Sequence, residues 1–511
     1  MHDRPRRILA APHPWPLHDV AGTRRLEAAA LCATPPHALM ARAGLAAARL
    51  ALAVAPHARR VGVLVGPGNN GGDALIAALH LQRMGVAVTA LALADPDRLP
   101  ADAANAWQQA RAAALPRVDD FVELGPVDLL IDGLLGLGAT RAPQGRLAET
   151  ITAVNSSEHP VLAIDLPSGL AADQGHVPGQ EAIRARWTLA LLTLKPGLFT
   201  AAGRDHAGEV WFDDLGVEAT APTAWLGACS NPPAPGLPLR RHAHHKGSFG
   251  DLYVVGGAVG MQGALHLAAH AALTAGAGRV WASPLDPGWR PPVPELMLCH
   301  AAWQMEAATL RGATIVCGCG GGDAVAQTLP NLLAHVPRLL LDADALNAIA
   351  HDTTLGRALR ERAARGQHTV LTPHPLEAAR LLGTSSATVQ SDRLAAAQRL
   401  AEDWQAIVLL KGSGSIVAAP GRTPWINASG NAALATPGSG DVLAGWMGGL
   451  WARQAGNDDG WHTARTAVWL HGHAADRMQQ RHPAYARLPL RAGDLADAMA
   501  AALDGPFDSA P

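Results

Sequence analysis

The chain has little cysteine, tyrosine and net charge. Its 511 residues include five cysteines and two tyrosines, and the formal net charge is −2. A small, odd number of cysteines is typical of free thiols in a reducing compartment, and the Cys317-Gly-Cys319 spacing does not fit a zinc knuckle. Because there is no excess of basic residues, we expect no nucleic-acid partner and no binding to an anionic membrane surface.

Long apolar runs are also absent from the sequence. No stretch approaches the roughly 18 apolar residues that a membrane-spanning helix needs, and the basic N-terminal segment lacks the apolar core of a signal peptide. We therefore expect a cytoplasmic protein with no membrane partner. Hydrophobic residues nevertheless make up 49% of the chain, which is ample for large buried cores.

Short apolar runs alternate with Ala- and Leu-rich segments along the whole chain. This pattern predicts strands buried on both faces, separated by helices, and therefore parallel sheets. The predicted strands are 61–66, 86–94, 128–135, 161–167, 252–257, 314–320, 338–346, 369–374 and 406–412. Residues 216–238 are rich in Pro, Ala, Gly and Thr without a sustained period, which predicts a linker between two α/β domains at 1–215 and 239–505.

A polar, glycine-rich segment follows the first of these strands. Gly66, Gly68 and Gly71 match the G-x-G-x-x-G pattern of dinucleotide-binding folds, and Asp95 lies near the distance expected for a ribose ligand. A single match of this kind is weak, and the Asn-Asn-Gly-Gly-Asp sequence at 69–73 is unusually polar for it. The segment suits a ribose, a metal ion and a polarised ring, and it precedes a predicted helix.

Other polar residues of the first half also follow predicted strands. Asn70, Asp132, Asp165 and Ser168 all lie at or just beyond the end of an apolar run. Ligands of open α/β sheets bind outside the carboxyl ends of the strands, so we expect these four residues to converge on one crevice. Each of them alone could be a helix cap or a turn residue, but together they favour a site.

The first half resembles the NAD(P)H-hydrate epimerase domain. The resemblance rests on LMARAG (39–44), VGPGNNGGDA (65–74), IDGLLGLGATRAPQG (131–145), AIDLPSGLAADQG (163–175) and KPGL followed by GRDHAGEV (195–210). It implies a Rossmann-like three-layer sandwich with a potassium ion bound by Asn70, Asp132 and Ser168. The contacts to hydrated nicotinamide that it implies are Asn69, Asn70, Gly71, Gly72, Asp73, Gly136, Leu137, Gly138, Ala139, Thr140, Arg141, Ala142 and Asp165.

The chemistry of the hydrate gives Asp165 a role. The hydroxyl sits on a ring carbon next to nitrogen, and inverting that centre requires the hydroxyl to leave and return through a cationic intermediate. A carboxylate can move the proton and stabilise the cation, so Asp165 is the candidate catalytic residue. Lys195 is a weaker candidate, interpreted as a structural or substrate-steering lysine. Ala74 replaces the usual glycine of the family, and we do not expect this small change to abolish activity.

The second half carries polar segments at the ends of predicted strands as well. They are CGCGGGD (317–323), LDADALN (341–347), LTPHPLEAARLL (371–382) and KGSGS (411–415). A fifth polar segment, TPGSGD (436–441), precedes an apolar helix predicted at 442–450. Free N–H groups at a helix N-terminus bind anions, and a carboxylate there would repel phosphate. Asp441 is therefore interpreted as an acid or base beside a bound phosphate, although a simple helix cap is the alternative.

The second half resembles the ADP-dependent NAD(P)H-hydrate dehydratase domain of the ribokinase-like superfamily. Besides the segments above, the matches are HKGSFGDLYVVGG (245–257), GALHLAAHAALTAGAGRV (263–280), PELM (294–297) and NAALATPGSGDVLAG (431–445). The resemblance implies a three-layer α/β/α fold, ADP or possibly ATP with Mg²⁺, and catalysis by Asp441. The implied nucleotide contacts are Lys411, Gly412, Ser413, Gly414, Ser415 and Gly440, and the implied hydrate contacts are Ala264, Gly320, His374 and Asp441.

One turn of the second half departs from the family pattern. Residues 318–322 are usually Gly-Pro-Gly-Leu-Gly, whereas Cys319 and Gly321 replace the proline and the leucine here. Two substitutions of this kind predict a looser turn around the implied substrate contact at Gly320.

Together the two resemblances imply a bifunctional enzyme that repairs hydrated NADH and NADPH. The first domain would equilibrate the R and S hydrates, and the second would return the S hydrate to the intact cofactor. A small-molecule kinase with an accessory domain is an alternative, since the GSGD segment alone does not exclude it. A first domain that only binds a ligand or a protein is another. The resemblance also favours a homo-oligomer.

Overall fold

The computed structural model describes residues 5–8, 13–138, 141–227, 240–454 and 458–503. The chain divides into two compact units, Met1–Leu226 and Gly227–Pro511. The division falls inside the predicted linker, where Ala224–Leu226 form a strand. Residues 228–238 of that linker lie outside the described residues.

The first unit alternates strands and helices. Its strands are β1 (Arg6–Arg7), β2 (Trp15–Leu17), β3 (Arg60–Val65), β4 (Ala87–Ala92), β5 (Arg117–Val118), β6 (Leu129–Gly133), β7 (Val161–Ile164), β8 (Trp187–Leu191), β9 (Glu209–Asp213) and β10 (Ala224–Leu226). Its helices are α1 (Val20–Ala33), α2 (Ala38–Val54), α3 (Asn69–Arg83), α4 (Ala101–Ala112), α5 (Arg146–Ser156) and α6 (Gly203–His206).

No single helix in the described ranges is long and apolar enough to cross a membrane. The pair α1 and α2 passes that test together by length and composition, but it is bent by 113°.

The main sheet of the first unit has the strand order β1-β9-β8-β7-β6-β3-β4-β5. All neighbours are parallel except β1, which pairs antiparallel with β9. The chain order reverses between β3 and β6, because β4 lies on one side of β3 and β6 on the other. Ligands of open α/β sheets bind at such a reversal, outside the carboxyl ends of the strands.

The strands of this sheet bury side chains in two cores, one on each face. Val63 and Val65 pack in a core with α2, α3 and α4, whereas Leu64 between them packs in a core with α5. On β6, Ile131 likewise packs in the core with α2, α3 and α4, and Leu130 packs in the core with α5. Because successive side chains of a strand point to opposite faces, continuous apolar runs require helices on both faces. The predicted α/β three-layer sandwich is confirmed.

The second unit follows the same alternation. Its strands are β11 (Asp251–Gly256), β12 (Arg279–Pro284), β13 (Met297–Leu298), β14 (Thr314–Cys317), β15 (Arg338–Leu341), β16 (His368–Leu371), β17 (Ile407–Leu410), β18 (Ile416–Ala418) and β19 (Trp425–Ile426). Its helices are α7 (Gln262–Thr274), α8 (Ala307–Leu310), α9 (Leu329–His335), α10 (Asp344–His351), α11 (Thr353–Ala364), α12 (Pro375–Leu382), α13 (Ser386–Ser391), α14 (Arg393–Trp404), α15 (Ser439–Arg453), α16 (Trp461–Arg481) and α17 (Ala492–Ala501).

The nine strands that the structure describes in the second unit have the order β13-β12-β11-β14-β15-β16-β17-β18-β19. The pairs from β13 to β17 are parallel, and β18 pairs antiparallel with both neighbours. The chain order reverses between β11 and β14. The carboxyl ends of β11, β14, β15, β16 and β17 therefore lie along one edge, and four of the polar segments of the second half, all but TPGSGD, follow these strands there.

Helix α15 packs into the interior of the second unit. It contacts α7, β11 and β14, and every residue from Val442 to Ala452 is buried. A Cβ at Gly445 would lie 1.9 Å from the carbonyl oxygen of Ala268, so only glycine permits this approach to α7. Trp446 and Trp451 are among the largest fully buried side chains of the molecule. This packing fixes the position of the helix start, where Asp441 lies.

Two helices begin earlier than predicted. α3 starts at Asn69 rather than at Ala74, and α15 starts at Ser439 rather than at Val442. Because glycine is a poor helix former, the sequence predicted loops at these residues. In the structure, glycine is present because a side chain would not fit: a Cβ at Gly71 would lie 2.2 Å from the carbonyl oxygen of Gly66. Both polar segments are therefore first turns of helices.

Candidate active sites

The first unit contains a cavity of about 490 Å³ at the reversal between β3 and β6. Its walls come from α1, α2, the first turns of α3 and the segments after β6, β7 and β8. The predicted site residues that line it are Asn69, Asn70, Asp73, Gly136, Leu137, Gly138 and Asp165. The structure thus brings the polar segment at 69–73 and the residues after β6 and β7 to one place.

Of the other predicted contacts of the first unit, those that the structure describes do not line this cavity. Gly71 and Gly72 are buried in the first turns of α3, and Arg141 and Ala142 lie away from the cavity walls. Ala139 and Thr140 lie outside the described residues. Contact of these six residues with substrate stays a prediction.

Asp165 follows β7 directly and has a left-handed backbone, with φ of 65°. Its Oδ1 accepts a hydrogen bond from Nζ of Lys195, which also donates to the carbonyl oxygen of Leu191 at 2.7 Å. The Lys195 side chain is only 1% exposed. Left-handed conformation in a residue other than glycine is strained and clusters at functional sites. Lys195, the weaker candidate from sequence, is therefore the ionic partner of the candidate catalytic carboxylate.

The three predicted potassium ligands lie together beneath the cavity. Asp132 is fully buried, and its Oδ1 accepts from Oγ of Ser168 at 2.6 Å. Asn70 donates from Nδ2 to the carbonyl oxygen of Leu135 at 2.8 Å, while its buried Oδ1 has no hydrogen-bond partner among the described residues. Buried polar atoms are rarely left without a partner, and oxygen donors are the ligands that hard cations prefer. These residues fit a bound cation.

The electrostatics of Asp132 support that fit. Burial raises the pKa of Asp132 to about 6, although hydrogen bonds from Ser168 and from the Leu134 amide oppose the rise. A carboxylate that is costly to ionise in a dry site is stabilised by a cation beside it. A potassium ion would therefore favour the ionised form of Asp132.

Three further carboxylates line the cavity, Asp73 on α3, Glu27 on α1 and Asp102 on α4. Burial, and after it the charge of Asp165, raises the pKa of Asp73 well above its usual range. The same two causes raise the pKa of Glu27. Glu27 was not predicted as a site residue, because α1 carries no recognisable motif. Its only signal in the sequence is an acidic residue in an Ala-rich helix just before LMARAG.

The second unit assembles its polar residues around Asp342, which follows β15 and is 1% exposed. Its Oδ1 accepts from Nζ of Lys411 at 2.7 Å and from Oγ1 of Thr372 at 2.8 Å. Burial tends to lower the pKa of Lys411, but the charges of Asp342 and Glu377 outweigh it, so that the pKa is raised. The predicted nucleotide contact Lys411 is thus held as a charged ammonium at the sheet edge.

Asp441 lies in the first turn of α15, beside Cys319. The Sγ of Cys319 and carboxylate oxygens of Asp342 and Asp441 lie within 4.8 Å of one another. Burial, and then the charge of Asp342, raises the pKa of Asp441 to about 6, whereas a hydrogen bond with Cys319 and the charge of Lys411 lower it. A carboxyl with this pKa can exchange protons near neutral pH, as an acid or base requires.

The other predicted substrate contacts lie around the same edge. Gly320 and Ala264 are adjacent, since a Cβ at Gly320 would lie 2.9 Å from the Cβ of Ala264. His374 caps α12 by accepting from the amides of Leu376 and Glu377. Burial lowers the pKa of His374, so this ring is neutral at physiological pH and half of its side chain faces solvent.

Glu377 lies beneath His374. Its Oε2 accepts from the His374 amide at 2.8 Å, and burial raises its pKa to about 7. These two residues form a reciprocal cap that fixes the start of α12 at the edge of the site.

The predicted nucleotide loop, residues 411–415, contains two glycines with positive φ angles. Gly412 and Gly414 have φ of 134° and 61°. Arg393 of α14 supports the loop, donating from Nη2 to the carbonyl oxygen of Lys411 at 3.1 Å. A Cβ at Gly440 would lie 3.3 Å from Nζ of Lys411, so the loop and the start of α15 face each other. Arg393 was missed in the sequence because it lies in an ordinary amphipathic helix.

A second residue missed from sequence holds the start of α15. His471 of α16 is buried, and its Nε2 donates to the carbonyl oxygen of Ser439 at 3.0 Å. Burial lowers the pKa of His471 to about 4. The ring is therefore neutral, and it positions the turn that carries Gly440 and Asp441.

Comparisons with known proteins follow the same division. Residues 252–496 match the family described as NAD(P)H-hydrate dehydratase, and residues 36–197 match the family described as YjeF-related protein N-terminus. A solved structure of the ADP/ATP-dependent NAD(P)H-hydrate dehydratase from Bacillus subtilis, co-crystallized with ATP and Mg²⁺, is 29% identical and has a TM-score of 0.44. It covers 52% of this chain and 93% of its own.

Two curated relatives extend over nearly the whole chain. The bifunctional NAD(P)H-hydrate repair enzyme of Escherichia coli K12 is 35% identical over 498 residues, which are 94% of this chain and 92% of the relative. That of Coxiella burnetii is 35% identical over 86% of this chain and 90% of its own length. The two predicted resemblances are confirmed, and the chain belongs to the family of bifunctional NAD(P)H-hydrate repair enzymes.

Proposed function

We propose that the first unit interconverts the R and S hydrates of NADH and NADPH, and that the second unit dehydrates the S hydrate with ADP, or ATP, and Mg²⁺. One observation carries the proposal: each unit places a carboxylate and a lysine at the carboxyl edge of its sheet. They are Asp165 with Lys195, and Asp441 near Lys411. We also propose a cytoplasmic homo-oligomer, which rests on composition and on the family resemblance.

In the first unit, the cavity would hold the hydrated ring beside Asp165. Loss of the hydroxyl leaves a positive charge shared with the ring nitrogen. The Asp165 carboxylate stabilises this charge, and Lys195 keeps the carboxylate in place. Water then adds to either face of the planar cation, which interconverts the two stereoisomers.

The potassium ion would be held by Asn70, Asp132 and Ser168. The orphaned Oδ1 of Asn70 and the buried carboxylate of Asp132 support this assignment. When bound, the ion would supply a fixed positive charge next to these three residues.

Potassium binding can be tested by thermal unfolding. We expect KCl to raise the Tm above that in choline chloride at equal ionic strength, because a ligand of the folded state stabilises it. Asn70→Ala should lose this rise, whereas Asn69→Ala, at the exposed neighbouring position, should keep it. An equal rise in both variants would contradict the assignment.

In the second unit, the nucleotide would lie against the 411–415 loop and Gly440. It supplies a phosphoryl group that converts the ring hydroxyl into a better leaving group. Asp441 would take the hydroxyl proton, while the amides at the start of α15 hold the developing negative charge. Loss of phosphate together with a proton from the neighbouring carbon restores the ring double bond.

We place Mg²⁺ on the nucleotide phosphates. Oδ1 of the central carboxylate, Asp342, is already engaged by Lys411 and Thr372. Magnesium keeps several waters and commonly binds through substrate phosphates rather than through an all-protein cage.

The function is tested with purified protein, separated R and S hydrates of NADH, and ADP. Recovery of absorbance at the reduced-nicotinamide wavelength from both hydrates, faster than the spontaneous rate, is expected. Asp441→Asn should abolish recovery from both hydrates but leave R-to-S conversion, followed by chromatography, intact. Recovery from the S hydrate alone would refute the epimerase. No recovery, with phosphorylation of another alcohol, would favour a kinase.

A further inference from the structure

The carboxylates of the first unit's cavity differ in how they are paired. Asp165 accepts from Lys195, so an ammonium balances its charge. Asp73 and Glu27 line the same cavity, and neither carboxyl group has a hydrogen bond or ion pair within the part of the chain that the structure describes. Carboxyl groups in one site with different environments commonly divide the roles of acid and base.

We propose that Asp73 is a second catalytic residue of the epimerase, which protonates the departing hydroxyl, and that Glu27 is a positioning residue that keeps this proton on Asp73. The inference rests on the epimerase function proposed above and extends it to a specific proton donor. Glu27 lies on α1 and Asp73 lies in the first turns of α3, so two separate helices bring carboxyl groups to the same cavity.

The chemistry needs such a donor. The carbon–oxygen bond breaks more readily when the hydroxyl leaves as water, which requires one proton. Asp73 gives that proton, the ring nitrogen's lone pair forms the carbon–nitrogen double bond, and the cation lies beside Asp165. An incoming water then bonds to the opposite face, returning the electron pair to nitrogen. The water that has added releases its proton to solvent, and Asp73 takes up a proton from the water that departed or from solvent, so no proton is consumed.

The charges around the pair favour a protonated Asp73. The carboxylates of Asp165, Glu27 and Asp102 all face it, and each disfavours a further negative charge. Glu27 is faced by Asp165 and Asp102 and, with opposite effect, by Lys195 and Arg24. Oδ1 of Asp102 lies 2.5 Å from Nδ1 of the His37 ring, and the two form a hydrogen bond. Of the three carboxylates around Asp73, Glu27 is therefore the one without a hydrogen bond or ion pair in the described residues.

The test uses the full chain, with R-hydrate recovery in the presence of ADP as the epimerase readout and S-hydrate recovery as an internal control. Asp73→Asn should lower epimerase kcat by about 10² to 10⁴, the usual contribution of a positioned proton donor, with S-hydrate recovery unchanged. Glu27→Gln should move the alkaline limb of the epimerase pH profile to lower pH. Removing a negative neighbour lowers the pKa of Asp73, and a general acid is lost as pH rises through its pKa.

Glu149→Gln, an exposed glutamate of α5, is the matched control and should leave the profile unchanged. Melting temperature and near-UV circular dichroism of each variant exclude unfolding of the first unit as the cause. If Asp73→Asn retains epimerase activity, or if Glu27→Gln leaves the alkaline limb in place, the inference is wrong. If the wild-type chain does not accelerate R-hydrate recovery, the proposed function itself fails.

Discussion

At the scale of single residues, Asp441 shows how one neighbour can shift the pKa of a proposed acid or base. The hydrogen bond with the thiol of Cys319 holds the pKa of Asp441 lower than burial alone would. Burial raises the pKa of Cys319 itself well above its usual range, so the thiol keeps its proton and can donate it to the carboxylate.

We predict that Cys319→Ala moves the acid limb of the dehydratase pH profile to higher pH. Asp441 must be ionised to accept a proton, so activity is lost as pH falls through its pKa of about 6, and removing the hydrogen bond raises that pKa. The measurement is kcat/KM for the S hydrate between pH 5 and 9. Cys319→Ser, which keeps a donor, should restore the profile. Cys317→Ala, at a buried thiol that contacts Thr328 instead, is the control.

At the scale of elements, the 411–415 loop depends on a backbone that only glycine adopts easily. Gly412→Ala should raise the KM for ADP at least about tenfold, because a left-handed position costs about 1–3 kcal/mol and the new Cβ would lie 2.8 Å from Nη1 of Arg393. Gly421→Ala also has a positive φ, but nothing lies within 4 Å of its Cβ. An equal rise in KM in both variants would contradict a role for the Arg393 contact.

His471 gives the start of α15 a dependence on pH. Its folded pKa of about 4 lies below the usual 6.5, so its contribution to stability is complete above pH 6.5 and is lost as pH falls toward 4. The shift corresponds to roughly 3 kcal/mol, at about 1.4 kcal/mol per unit. Urea unfolding followed by circular dichroism should show a smaller loss between pH 7 and 5 for His471→Gln, which does not titrate. His462→Gln, at an exposed position of α16, should behave as wild type.

The helix starts mark the limit of what the sequence predicted about elements. The order of strands and helices followed from apolar runs, since burial on both faces leaves a direct trace in composition. The starts of α3 and α15 could not be predicted in this way. Glycine is a poor helix former and so predicts a loop, but it is also required where two backbones approach closely, and only the structure distinguishes these two reasons. Asp132 and Asp165 could be found as residues at the ends of predicted strands, and Asp441 could be found from the glycine-rich segment before a predicted helix. Glu27, Arg393 and His471 could not be found. These three lie in helices whose sequences give no sign of what they face.

At the scale of the whole molecule, the two proposed activities are linked by a substrate that must leave one site and enter the other. We predict that an equimolar mixture of Asp165→Asn and Asp441→Asn chains recovers NADH from the R hydrate, although neither variant does so faster than the spontaneous rate. The first variant keeps the dehydratase and the second keeps the epimerase. Absorbance recovery in the mixture, compared with each variant at twice the concentration, is the measurement. A mixture no better than either variant would show that the hydrate does not pass through solution.

The buried tryptophans of α15 give the molecule a built-in optical reporter. Trp446 and Trp451 lie on the same helix as Asp441, both fully buried, and the chain has only two tyrosines to compete with its 14 tryptophans. Indole rings in such dry surroundings emit at short wavelength, and the emission moves to the red when water reaches them. Because these rings share a helix with the proposed catalytic carboxylate, loosening of the dehydratase site is expected to add a red shift to the tryptophan emission of the unlabelled chain.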